Sequence, residues 1–296
     1  MRKYLTDFFR EFDYSTEDTA ELLDAYDKIS LDGEAAEILD GILAEYDATL
    51  KINAKELMPK CERIAELISV HQYTTKLLVH ICLSRRLRRY YAEKGVDDAL
   101  WFNAMLDLKY KLIECRLIEG IAGTFVADGN WFSRWYDMTR FALGRLQFEI
   151  LPFRRSYEKD GKSLNPDSKV LNIHIPRTGT PLDRESVQTS YSMAREFFKD
   201  EFGDEPIAFV CSSWLLFPEQ EKILHEKSNI RKFMSDFDII ESKYYDDNNC
   251  SAFWRIFDKP YTDNFDEIPE DTFLKRAYKE YLKNGGKLGY GFGVFF

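Results

Sequence analysis

The period at which apolar residues recur changes once along this chain, and that single change limits what it can fold into. Before residue 120 they return three and four positions apart, the spacing that lines one face of a helix. "STEDTAELLDAYDKI" opens on Ser15 and Thr16 followed by acids, a helix-start signal, and "DGEAAEILDGILAEYDATL" keeps the pattern. "PKCERIAELISVHQYTTKLLVHICLSRRLRRYYAEKG" reads as one further helical stretch stopped by Gly95, and "VDDALWFNAMLDLKYKLIECRLIEGI" as another. The character shifts within "VADGNWFSRW", residues 126–135. Beyond it "FALGRLQFEILPF" alternates, with Leu146, Phe148 and Ile150 on one side and Arg145, Gln147 and Glu149 on the other. That is the pattern of a half-buried strand with one solvated face.

The rest interleaves the two periods. The polar "RRSYEKDGKSLNPDS" reads as a hairpin loop leading into the strand "KVLNIHIP". A helix is expected over 184–200, then the strand "IAFVCSSWLLF", a helix around 219–236, and the strands "DIIESKYYD" and "SAFWRIFD". A helix over 270–284 and a terminal strand "GYGFGVFF" follow, joined by a left-handed cap at Gly285 or Gly286. Gly289, Gly291 and Gly293 share one face of that strand, leaving room for a ligand or, in the preferred reading, a packed neighbour. The expected fold class is α/β (α+β): a helical N-terminal domain over 1–130, then a mixed β-sheet domain with flanking helices over 131–296.

Composition excludes several functions. No run approaches the roughly eighteen apolar residues of a membrane span. The N-terminus lacks an apolar signal core, so a cytoplasmic protein is expected. The net charge of −10 argues against a general nucleic-acid binder. Residues 1–50 carry that whole excess, with fourteen acids against four bases, and read as solvated helix faces. The five cysteines are widely spaced with no CxxC pair, and the four histidines form no ligand motif, so neither disulfides nor a metal site is expected. Arg85, Arg88 and Arg89 share a helix face and are expected to pair with this region's carboxylates.

In their order, "LGRLQFE", "LNIHIPRTGTPLDRESVQTS", "FVCSSWLL", "EKSNIRKF" and the Gly-rich C-terminus resemble a bacterial family of acyltransferases. Its members join an α-helical N-terminal acyltransferase domain to a GNAT-like C-terminal domain. The resemblance spans nearly the whole chain and implies an acyl-CoA-dependent N-acyltransferase acting on an amine of a small molecule or peptide. Acetyl-CoA or another acyl-CoA would be the co-substrate, without a metal. The wider superfamily's pyrophosphate loop, Gln/Arg-x-x-Gly-x-Gly/Ala, has no full copy here. That leaves a second reading, a non-catalytic ligand- or protein-binding module on the same fold.

Acyl transfer to an amine requires a base, donors for the developing oxyanion and an aligned pair of reactants. Period-two geometry puts Asn172 and His174 together on one strand face, opposite Leu171 and Ile173. His174 is the expected base or substrate-binding group, with Glu149 as the rival base and Gln147 beside it. The alternative for His174 and Asn172 is a satisfied structural pair at a strand end. Ser212 and Ser213 suggest a functional edge or bulge, while Cys211 is a nucleophile or, preferably, an inert buried thiol. Trp214 reads as core, and Ser228 with Asn229 as a helix cap able to meet an anion. Asp183 and Glu185 mark "TPLD" as a helix start rather than a phosphate cradle.

Overall fold

The computed structural model describes residues 1–126 and 130–296; residues 127–129 of the expected transition lie outside the described residues. The chain divides into two compact units, Met1–Phe141 and Ala142–Phe296.

The first unit is helical: α1 (Arg2–Glu11), α2 (Thr16–Leu31), α3 (Gly33–Thr49), α4 (Ala54–Ile68), α5 (Gln72–Glu93), α6 (Asp98–Glu119) and the short α7 (Ser133–Tyr136). Ser15 starts α2 as the sequence suggests, accepting from a backbone N–H, and Asp32 and Asp97 do the same at α3 and α6. The stretch read as one helix through residues 59–95 is two. Ser69 takes a left-handed conformation (φ 53°), and His71 then caps α5 by accepting from the Tyr73 amide. Two polar caps inside an apolar periodicity are easily read through, because the period resumes on the far side.

Every residue of α5 from Thr74 to Ser84 is buried, so this helix forms the axis of the unit and its polar groups need partners. Lys76 reaches Gln72 and Glu62, Thr75 donates to the Cys61 carbonyl, and Ser84 meets the Tyr4 hydroxyl. The Trp101 indole donates to the Ser84 carbonyl, while buried Asp107 accepts from the indoles of Trp131 and Trp135. Two of the three expected arginines pair with carboxylates, Arg88 with Glu11 and Asp98 and Arg89 with Asp47, and Arg86 shares Asp47.

The second unit holds the sheet. Its strands are β1 (Arg140–Leu143), through which the division between units runs, β2 (Leu146–Pro152), β5 (Lys169–His174), β6 (Phe209–Ser213), β7 (Asp238–Tyr244) and β8 (Gly289–Phe295). They lie in the order β1-β2-β5-β6-β8-β7, with β5 and β6 parallel and the β2–β5, β6–β8 and β7–β8 pairs antiparallel. The expected hairpin loop contains its own ribbon, β3 (Tyr157–Lys159) with β4 (Lys162–Leu164). It is turned by Asp160 and Gly161, both at positive φ as a tight two-residue hairpin requires. Helices α8 (Arg184–Phe202), α9 (Gln220–Ile223), α10 (Asn229–Met234), α11 (Ser251–Phe257) and α12 (Phe273–Lys283) complete the unit.

Three expectations change here. "SAFWRIFD" is helix α11, not a strand: Ala252, Phe253, Ile256 and Phe257 are buried at helical spacing, in one core with Tyr278 and Leu282 of α12. The helix expected around 219–236 is the two short helices α9 and α10. The strand through Phe217 stops at Ser213, whose hydroxyl accepts from the Leu215 amide and opens a 3-10 turn over Trp214–Leu216. That turn explains the glycine face of β8, since a Cβ at Gly291 would lie 2.1 Å from the Leu216 carbonyl oxygen. The glycines admit a packed neighbour.

A buried histidine gives this architecture a pH response. His80 on α5 sits 2.6 Å from the Lys76 carbonyl through Nδ1, which therefore carries the proton, and its ring packs on Phe132 and Tyr136. Burial pushes its pKa down from 6.5 to about 4, against the opposing effect of that bond. The unfolded chain thus binds a proton in this window that the folded chain refuses. His80's contribution is complete above pH 6.5 and is lost as the pH falls towards 4. Denaturant titrations from pH 7 to 4.5 should show His80→Gln losing up to about 1.4 kcal/mol per pH unit of the wild-type slope. Identical slopes would contradict this account.

Candidate active site

Register decides which side chains share a face. In β2 and β5 the directly opposed pairs are Gln147 with His174, Glu149 with Asn172, and Phe148 with Ile173. The Phe148 side is apolar: Phe148 packs on Phe209, which meets Tyr191 of α8, and Tyr191 also meets Phe295. The opposite side begins as a second core, in which Val170, Val210, Phe292 and Val294 are covered by Phe153 and Leu164. Farther along β5 the same side turns polar, carrying Gln147, Glu149, Asn172 and His174.

The two side chains that β2 contributes are buried, which corrects the solvated-face reading of that strand. Gln147 is 1% exposed and Glu149 5% exposed. A buried carboxylate needs donors, and the neighbouring strand provides them. His174 Nε2 lies 2.7 Å from Glu149 Oε1, and Asn172 Nδ2 donates to the same oxygen at 3.3 Å. Asn172 Nδ2 and His174 Nε2 are themselves 2.9 Å apart. The His174 side chain keeps 20% of its surface exposed, the Glu149 side chain 6%. His174 and Glu149, the rival bases of the sequence reading, are therefore in contact.

The backbone opens beside this cluster. The β5–β6 register consists of Leu171 with Phe209 and Asn172 with Val210, whereas β5 continues to His174 and β6 to Ser213. Ser212 is exposed on the polar side, opposite Phe292 of β8. After His174 the chain is held at two points. Arg145 donates to the carbonyls of Pro176 (2.9 Å) and Pro181 (3.3 Å), and Arg177 pairs with Asp258, which also holds Lys275. The start of α8 is filled as expected: Asp183 accepts from the Ser186 amide, and that bond lowers its carboxyl pKa.

The other candidates fall outside the cluster. Cys211 is fully buried opposite Gly293, and burial pushes its thiol up to about 12. That is the environment of an inert cysteine. Ser213 is committed to its turn, Trp214 packs edge-on to Tyr278, and Ser228 caps α10 by accepting from the Arg231 amide, with Asn229 the first residue of that helix. Among the described residues no group of three or more His, Cys, Asp or Glu could hold a metal ion. The sequence reading had no means to find the Arg177–Asp258 tie, whose partners lie 81 residues apart.

Residues 141–295 match the GNAT-like C-terminal domain, and residues 3–138 match the N-acyltransferase N-terminal domain. The chain belongs to this acyltransferase family. No curated protein matches it significantly. Among solved structures it is similar to an acyltransferase in complex with decanoyl-CoA and teicoplanin, at 22% identity and TM-score 0.72, over 98% of this chain and 86% of that one. An acyltransferase mutant in complex with octanoyl-CoA is similar at 21% identity and TM-score 0.73, over 99% and 87%. At these identities the likeness shows a shared fold.

The cysteine environments can be checked directly. With a thiol reagent on the native protein at mildly alkaline pH, half-buried Cys250 should react well before Cys211, which should label only on unfolding. Rapid native labelling of Cys211 would show a reachable thiol and restore it as a nucleophile.

Proposed function

We propose that this family member transfers an acyl group from an acyl-coenzyme A to an amine of a small molecule or peptide, with His174 as the general base. The observation that carries this reading is the polar cluster itself. In a GNAT-like domain, it places a partly exposed imidazole, backed by a buried carboxylate, beyond the last β5–β6 pair. An amine attacks a thioester only when deprotonated, and an oriented imidazole is the side chain suited to take that proton near neutral pH. The nitrogen–carbon bond forms, the carbon–sulfur bond breaks, and the proton passes by way of His174 to the departing thiolate. Asn172 and Gln147 line the same face, and Ser212 offers a hydroxyl at its open end.

The structural neighbours support the donor class, since they were crystallised with decanoyl-CoA and octanoyl-CoA, one of them with teicoplanin as well. Five free cysteines fit a reducing compartment, and we assign the protein to the cytoplasm on that basis. No helix among the described residues is long and apolar enough to cross a membrane. One observation favours the second reading, a binding module without catalysis. The first turn of α8, where a pyrophosphate would sit in the wider superfamily, is capped by the Asp183 carboxylate.

Two measurements separate these readings. Acetyl-, octanoyl- or decanoyl-CoA at about 100 times its dissociation constant should raise the unfolding midpoint by about 5 °C. No shift with any of them would leave the binding-module reading. His174→Gln keeps an N–H for Glu149 but loses the base. It should retain acyl-CoA binding and lose about 10²–10⁴-fold in turnover. Unchanged turnover would remove His174 from the chemistry.

A further inference from the structure

We infer that Glu149 is a positioning residue that holds His174 as its Nε2–H tautomer, so that the basic nitrogen of the site is Nδ1. The inference deepens the acyl-transfer reading and rests on it for its catalytic meaning, but its structural content stands separately.

The donor inventory drives the assignment. An ionised carboxylate can only accept, and Glu149 Oε1 lies 2.7 Å from His174 Nε2. A neutral imidazole can answer that oxygen only with Nε2–H, which leaves its lone pair on Nδ1. Asn172 Nδ2 donates to the same Oε1 at 3.3 Å and lies 2.9 Å from Nε2, so one carboxylate oxygen gathers both nitrogens. The competing arrangement has Nε2 accepting from Asn172 and the proton on Nδ1. It would set the Nε2 lone pair against the carboxylate oxygen at 2.7 Å.

The backbone fixes this geometry. Glu149 opposes Asn172 and Gln147 opposes His174 across one antiparallel ladder, so Glu149 reaches His174 diagonally, within a two-strand unit. Glu149 is thus an orienter of the ring, and the amine's proton goes to Nδ1 as the nitrogen–carbon bond forms. When the carbon–sulfur bond breaks, the same proton leaves Nδ1 for the sulfur.

Nitrogen-15 NMR of histidine-labelled full-length protein reads the tautomer directly. With only four histidines the spectrum is sparse, and His80 provides the opposite reference, its Nδ1 donating to the Lys76 carbonyl. His174 should show a protonated Nε2 and an unprotonated Nδ1. Glu149→Ala should abolish that preference and lower kcat by about 10–100-fold, while KM for acyl-CoA changes less than about twofold. Glu149→Gln, whose amide oxygen still accepts from Nε2–H, should restore much of both. An Nδ1–H tautomer in the wild type, or full kcat in Glu149→Ala, would overturn the inference. If the wild type transfers no acyl group, the acyl-transfer reading fails, and the tautomer still decides the assignment of Glu149.

Discussion

A carboxylate buried in a β-sheet face is the constraint on which the second unit is organised. Glu149, only 5% exposed, cannot stay ionised without donors, and leaving a buried hydrogen-bonding group unsatisfied costs about 1–3 kcal/mol, more for a charged one. The donors come from the antiparallel neighbour through the pairing of Glu149 with Asn172 and of Gln147 with His174. A slip of one residue would carry Asn172 and His174 to the apolar side, where Phe148, Phe209 and Tyr191 pack. Register, burial and candidate chemistry are therefore one property of this sheet.

The surrounding elements keep that arrangement open on one side. Glycine at 291 lets the turn after β6 press against β8, which ends β6 at Ser213 and leaves Ser212 exposed. Arg145 and the Arg177–Asp258 pair secure the segment following His174, so the histidine sits at the end of a braced strand. The consequence is an imidazole at a strand end, in contact with Glu149 of the neighbouring strand and Asn172 of its own.

Much of this was legible in the sequence, for identifiable reasons. Alternation placed Gln147 with Glu149 and Asn172 with His174, because a strand has period two and both strands are long enough to show it. The caps at Ser15, Asp183 and Ser228 were readable because they depend on residues a few positions away. The contact between Glu149 and His174 was not readable. It depends on the pairing register across a loop that hides its own ribbon, β3–β4, and nothing local sets that register. For the same reason a polar face was read as solvated, since alternation reveals sides and not what covers them. "SAFWRIFD" failed differently: its aromatic and β-branched residues suit a strand, and only packing against α12 selects the helix.

The central claim is that His174 and Glu149 act as one unit. A double-mutant cycle on kcat/KM for acyl transfer, using Glu149→Ala and His174→Gln, tests it most directly. If Glu149 works through the imidazole, the double variant should fall within about twofold of His174→Gln alone, because no ring remains to position. Independent effects that multiply would contradict the account.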